Sequence, residues 1–415
     1  MSVPSILVAK KDFRFKTLVI DGDANCPGAI LSDRFINCST YNIDQILAYS
    51  SQWFNEGEEV AGVITNGTDA AEAVYAISNK LGLRGIPYET ARRVQNKYLM
   101  RHHLTTQGIT VCQPRWVEFS TSPSNYYHSD VEEFFLQVEK CGGVVVKPIG
   151  QRASRGISIV KNISELKSAV DLVLTYSNQF LVEELLTGTE FSVEGLFNES
   201  GQPVWFNVVQ RLFNYSDGHA LEVGHISPAP IGSTSWAALG SFWHSVAQTM
   251  GVKFGPFKVD TLVTDDGTPY VLETACRQSG GWDSQLSTPL ATGCRPIHAL
   301  IALSTGKPYN EFCTPSGESK FAACYSMFSE PGTVKSISEK LRIYSNENLT
   351  HTTPNFRPFG PHIRVSVSVG SIIRPIRDCG DRVGFVVVAD KDDVAAVNRA
   401  EFAARNLQEE IITEE

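Results

Sequence analysis

Short apolar runs alternate with stretches of helical spacing along the chain, and this alternation predicts an α/β protein. Residues 17–21 and 62–65 are β-rich, and the second run precedes a small-residue helical stretch over 69–80. Residues 83–87 predict another short strand. A helix is expected over 89–107, ending at Gly108, and a first domain should close near residue 95. Residues 120–130, rich in Ser, Tyr and Asn, predict a loop, and 131–140 a helix.

The next pattern suggests chemistry. Val144-Val145-Val146-Lys147-Pro148 reads as a buried strand, 157–160 as its neighbour, and 150–156 as a two-glycine loop between them. Such a loop can fold over a polyphosphate, offering backbone N–H groups while Arg152, Ser154 and Arg155 add polar and cationic contacts around Gly156. Lys147 would add a point charge. A glycine-flanked hairpin carrying a lysine is also an ordinary hairpin, so the pattern needs its surroundings.

Those follow directly. Residues 180–186 predict a strand able to offer edge backbone groups, and alternation in 188–194 puts Glu190, Ser192 and Glu194 on one face. A solvated sheet face explains that alternation equally well. Further on, 257–263 carries Asp260, Asp265-Asp266-Gly267-Thr268 reads as a turn, and 270–273 returns with Glu273. An acid from each of two neighbouring strands suits magnesium, a hard cation that keeps waters and substrate phosphates as its other ligands.

Composition narrows the partners. The net charge of −9 has no long single-sign run behind it, which argues against a nucleic-acid or anionic-membrane footprint and for small substrates. No apolar run approaches the roughly 20 residues that span a bilayer, and no secretory leader is evident, so the expected location is the cytoplasm. The nine cysteines are dispersed, arguing against a disulfide framework or a zinc site.

With these motifs in order, the run from Lys97 to about Gly306 resembles the ATP-grasp superfamily. The resemblance implies an abbreviated N-terminal α/β domain (1–95), a small ATP-binding lobe (96–178), a large catalytic lobe (179–306) and a β-rich C-terminal lobe (307–415). It implies ATP and magnesium, with manganese as an alternative. Lys97 and Lys147 would contact ATP phosphates, the 150–156 loop with Ser154, Arg155 and Gly156 would cover them, Glu183, Glu184, Leu185 and Leu186 would hold the adenine, and Glu190 would meet the ribose. Asp260 and Glu273 would ligate metal and Arg277 would face an acyl phosphate.

Within the superfamily the chain is most similar to carboxylate-amine ligases such as the L-amino acid ligases. The segment 221–230 resembles their substrate segment, which implies Glu222 for a substrate ammonium and His225 beside the reacting centre. Small carboxylate and amine substrates follow, and a homodimer is compatible. Two departures stand out. Ala275 occupies a position where many relatives have an oxygen-donating asparagine, and residues 1–16 are too few for the strand, glycine loop and helix that usually open the first domain, so a smaller N-terminal sheet is expected. A purine-pathway or carboxylase-type enzyme and a non-catalytic ATP-binding homologue remain as alternatives.

Overall fold

The computed structural model describes residues 3–54, 57–107, 111–120, 129–151, 154–216, 219–315, 320–339, 341 and 359–414. Gly108, most of the 120–130 loop, and Arg152 and Ala153 lie outside them. A mixed α/β architecture results, built on four sheets.

The N-terminal sheet is small: β1 (Leu18–Asp21) and β2 (Arg34–Asn37) pair in parallel, and no further strand among the described residues joins them. The strand expected over 62–65 does not form. There the chain runs against the end of the helix Pro296–Ser304, so closely that a Cβ on Gly62 would lie 2.6 Å from the Ser304 carbonyl oxygen. Just beyond it, Asn66 forms an isolated parallel bridge with Gln278. Residues 83–87 are likewise a connection rather than a strand: Leu83 donates back to the Ser78 carbonyl, closing the helix Ala71–Lys80, and Pro87 precedes the next helix.

The single helix expected over 89–107 is two helices, Tyr88–Gln95 and Lys97–Thr106. Asn96 breaks it with extended dihedrals (φ −131°, ψ 111°), and its side chain caps the second helix by accepting from the Leu99 N–H at 3.0 Å. Periodicity alone does not register a break of one residue. Its effect is to re-aim the second helix so that Lys97 and Arg101, one turn apart, are both buried.

The small lobe is a four-stranded antiparallel sheet, β3 (Trp116–Ser120), β4 (Val144–Pro148), β5 (Ser158–Val160) and β6 (Gln179–Glu184), in the order β3-β6-β4-β5. One face packs Val144, Val146, Phe180 and Val182 against the helices Ser129–Val138 and Ile163–Leu174. Because side chains alternate, Val145 and Lys147 point the other way. β6 is an interior strand, not the edge expected from sequence: it pairs with β3 on one side and β4 on the other.

The central sheet has eight strands: β7 (Thr189–Phe197), β8 (Pro203–Ser216), β9 (His219–Ser227), β10 (Gly255–Val263), β11 (Pro269–Ala275), β12 (Phe321–Met327), β14 (His362–Val365) and β16 (Gly384–Asp390). Their order is β11-β10-β7-β8-β9-β12-β16-β14. The expected C-terminal β-rich lobe is thus partly an extension of this sheet, joined where β12 pairs with β9 (Cys324 opposite His225). A separate three-stranded sheet holds β13 (Gly332–Ile337), β15 (Ile372–Ile373) and β17 (Ile411–Glu414). The helix Ser233–Met250 covers one face of the central sheet, with Trp243 stacked on Phe197 at 4.8 Å. The opposite face turns its polar residues toward the small lobe.

Candidate active site

Between the small lobe and that polar face lies a cavity of about 880 Å³. Val145, Ile157, Ile159, Leu185, Leu186 and Leu272 supply apolar wall, most of it from the small lobe. The remainder is lined by charge. Lys97, Lys147, Ser154, Glu183, Glu184, Glu190, Glu222, His225, Asp260, Glu273 and Arg277 all line it, whereas Arg155 and Gly156 do not.

β4 and β6 set the first ion cluster. Lys147 lies 2.7 Å from Glu183, which also takes Arg101 in a two-pronged contact at 2.8 and 3.0 Å. Arg101 is fully buried and its other N–H groups reach the carbonyls of Val271 and Leu272 at 2.7 and 2.9 Å, joining the small lobe to β11. Burial pushes the Lys147 ammonium down to about 8, with Glu183 opposing the shift. Burial would raise Glu183, but Arg101 and Lys147 outweigh it and hold the carboxyl at about 2. The Glu183 side chain is therefore committed to cations. Glu184 is similarly engaged by Arg115 at 2.8 Å, so contact with an adenine would fall to backbone groups around Leu185 and Leu186, beyond the end of β6.

The hairpin β10–β11 sets the second cluster. Asp260 and Glu273 face each other across the pair, and a bulge follows between Asp260 and Thr261. Lys258, two residues along the same face, sits 2.7 and 2.8 Å from the two Asp260 oxygens. Lys97 reaches Glu273 at 2.9 Å and the Gln151 carbonyl at 2.6 Å. Arg277 pairs with Asp69 at 2.7 Å. Among the described residues no three Asp, Glu, His or Cys side chains converge to hold a metal alone. A cation bound between Asp260 and Glu273 would need further ligands from phosphate and water, and would displace the lysines that now contact them.

Arg211, on β8, organises the third cluster. It contacts Glu190 at 3.1 Å, Glu222 at 3.3 Å and Asp260 at 3.6 Å. Glu190 also accepts from the Tyr215 hydroxyl at 3.2 Å, and burial pushes its carboxyl up. Glu222 is shared between Arg211 and Arg382, the latter also 3.3 Å away. Burial would raise the Glu222 carboxyl, but these two guanidinium groups hold it well below the usual range. Both oxygens of Glu222, the residue the resemblance assigns to a substrate ammonium, are thus already engaged by guanidinium groups of the protein. His225 is buried, its Nε2 is 3.0 Å from the Ser287 hydroxyl, and burial pushes the imidazole down to about 4. It is uncharged at neutral pH.

The described residues of the 150–156 segment include two left-handed positions. Gly156 takes φ +70°, where a Cβ would meet the Tyr176 ring at 2.7 Å, and Ser154 adopts a left-handed φ of 63°. Arg155 reaches across to Asp378 of the C-terminal lobe at 3.9 Å rather than into the cavity.

Sequence reasoning missed Arg101, Arg211, Lys258, Arg382 and Asp69. A signal existed for two of them. Lys258 shares β10's polar face with Asp260, and Arg211 is a lone cation within the β-rich run Val208-Val209-Gln210-Arg211-Leu212-Phe213. The others acquire their roles only through distant partners.

Residues 142–285 match the family described as ATP-grasp domain. Over that stretch the chain is similar to ATP-grasp domains. A D-alanine–D-alanine ligase of Geobacter sulfurreducens is 27% identical over 203 residues, spanning 48% of this chain and 61% of that protein. The chain therefore spans less than two thirds of this curated relative. Across nearly the whole chain (99%), the fold is that of an L-amino acid ligase from Bacillus licheniformis, with a TM-score of 0.72 at 19% identity over 96% of that chain. A phosphoribosylglycinamide synthetase from Anaerococcus prevotii superposes with a TM-score of 0.69 at 16% identity, covering 99% of this chain and 96% of the other. At such identities the likeness is one of fold. No helix among the described residues is long and apolar enough to cross a membrane.

Proposed function

We propose that the chain is an ADP-forming carboxylate-amine ligase that activates a small carboxylate, an amino acid in the simplest case, as an acyl phosphate and passes it to an amine. The observation that carries this reading is the facing pair Asp260 and Glu273 in the same cavity as Lys97, Lys147 and Arg277. Phosphoryl transfer needs little covalent participation from the protein; it needs phosphates held in place and their charge offset. Lys147 and Lys97 would hold the phosphates of ATP, with the 150–156 loop over them and the apolar wall of the cavity around the adenine. Magnesium, held by Asp260 and Glu273 and completed by phosphate oxygens, would supply further charge neutralisation; Ala275 leaves it one oxygen donor fewer. Arg277 presents a planar guanidinium suited to the acyl phosphate, while Asp69 keeps it oriented. Two of the similar proteins are amino-acid ligases by name, which supports the same reaction class here, while others are a phosphoribosylglycinamide synthetase and carboxyaminoimidazole ribonucleotide synthetases.

ATP with magnesium should raise the thermal midpoint, and this gain should shrink as pH rises through about 8, where Lys147 loses its proton in the free protein. In Lys147→Met the gain should be small at every pH. A nucleotide effect independent of both pH and Lys147 would remove Lys147 from the phosphate site, and no nucleotide effect in the unaltered protein would reject the reading as a whole.

A further inference from the structure

The buried or half-buried acids along the cavity nearly all have a cation beside them: Asp69 has Arg277, Glu183 has Lys147 and Arg101, Glu190 and Glu222 have Arg211, Asp260 has Lys258, and Glu273 has Lys97. Asp283 differs. It lines the cavity, is 2% exposed, and has no salt-bridge partner among the described residues. Its Oδ1 accepts from the Thr288 hydroxyl at 2.7 Å, while Oδ2 is buried with no hydrogen-bond partner among them. Such an orphaned carboxylate oxygen carries a desolvation cost unless a ligand supplies the missing donor.

The neighbouring elements fix what that donor must be. Glu194 on β7 is fully buried and its oxygens are occupied by the Ser279 N–H at 2.5 Å and the Ser284 hydroxyl at 3.1 Å. It adds negative potential at Asp283, as does Glu222 from β9. Lys258 on β10 is the cation that acts on Asp283, but it is bound to Asp260; Cys324 on β12 is a buried thiol, and His225 is neutral. Burial and Glu194 together push the Asp283 carboxyl well up. A site with two buried acids and one unpaired oxygen is completed by a cationic N–H donor.

We propose that Asp283 seats the amine that attacks the acyl phosphate and takes its proton. The inference rests on the ligase reading above and moves the ammonium role from Glu222, which two guanidinium groups already occupy, to Asp283. The acyl substrate requires no proton removal, whereas an ammonium cannot attack until it becomes an amine. In the step, the ammonium gives one proton to the Asp283 carboxylate. The freed nitrogen lone pair forms the C–N bond, the bond from acyl carbon to phosphate oxygen breaks, and its electron pair leaves with phosphate. The second N–H proton goes to the departing phosphate, and Asp283 returns its own to solvent. His225, with its imidazole held near 4, is too weak a base at neutral pH to compete.

The test compares two nucleophiles in Asp283→Asn. An equimolar mixture of the protein amino acids supplies carboxylates and ammonium nucleophiles; hydroxylamine, uncharged at neutral pH, intercepts the same acyl phosphate as a hydroxamate. The ratio of hydroxamate to amide should rise about a hundredfold or more in Asp283→Asn, and Asp283→Glu should restore part of the amide yield. Asparagine keeps the side chain's size and replaces a carboxyl whose charged form burial already disfavours, so the thermal midpoint at neutral pH should not fall. An unchanged ratio overturns the proposal. An independent arm uses n-propylammonium, which should raise the midpoint of the unaltered protein and not that of Asp283→Asn. If the unaltered protein forms neither product but shows this Asp283-dependent stabilisation, the ligase reading fails while the amine seat stands. If propylammonium stabilises both proteins equally or neither, the amine seat is rejected.

Discussion

Replacing Glu273 by glutamine is expected to lower ADP formation by about two to three orders of magnitude, the loss typical when one preorganised charge-stabilising group is removed. The fold should survive. The Glu273 side chain is 43% exposed, and although its ion-pair partner Lys97 is buried, glutamine keeps a carbonyl oxygen for that ammonium. Lys97 retains the Gln151 carbonyl and becomes freer to meet phosphate, so the loss should fall on turnover rather than on ATP affinity. Asp260→Asn is a less clean probe, because it strips Lys258 of its close partner on the same strand. Steady-state ADP release and ATP-dependent thermal shifts on Glu273→Gln check the argument together. Turnover unchanged from the natural protein would take Glu273 out of the metal site.

The second large effect concerns stability. Arg101→Met should destabilise the protein by about 3–5 kcal/mol, since removing one partner of a buried pair leaves the other charge uncompensated. The figure belongs to the upper part of the range here. Arg101 is fully buried, makes two contacts to Glu183, and is hydrogen-bonded to the Val271 and Leu272 carbonyls, so its loss also leaves acceptors on β11 without those donors. Glu183 would then rely on Lys147, drawing that ammonium away from phosphate. Denaturant unfolding of Arg101→Met, with Glu183→Gln and the double variant completing a cycle, measures this. A loss below about 1 kcal/mol, the range of exposed pairs, would show that Arg101 does not join the lobes as described.

Much of the site was legible in the sequence where its geometry is local. Val144 to Pro148 is apolar enough to read as a strand, and alternation then gives Lys147 a face. The turn at 265–268 sets the β10–β11 register closely enough that Asp260 and Glu273 could be anticipated on neighbouring strands. What stayed illegible depended on partners remote in sequence. Glu222 looks like an open acid because Arg382, 160 residues away, is invisible to local pattern, and Arg101 looks like a surface cation on a helix until Glu183, 82 residues on, is brought against it. The interior position of β6 was missed for the same reason, since its neighbours β3 and β4 are chosen by packing rather than by periodicity. Asn96 shows the opposite scale: one capping residue divides a helix that propensity alone would run through.

The central claim is that the carboxylate takes the γ-phosphoryl group before the amine arrives, and one measurement addresses it directly. Amino acids labelled with heavy oxygen in their carboxylates are turned over with ATP and magnesium, and the released phosphate is analysed by mass. An acyl phosphate requires that one labelled carboxylate oxygen leave with each phosphate, alongside ADP. Phosphate free of label, or AMP and pyrophosphate in place of ADP, would contradict the account.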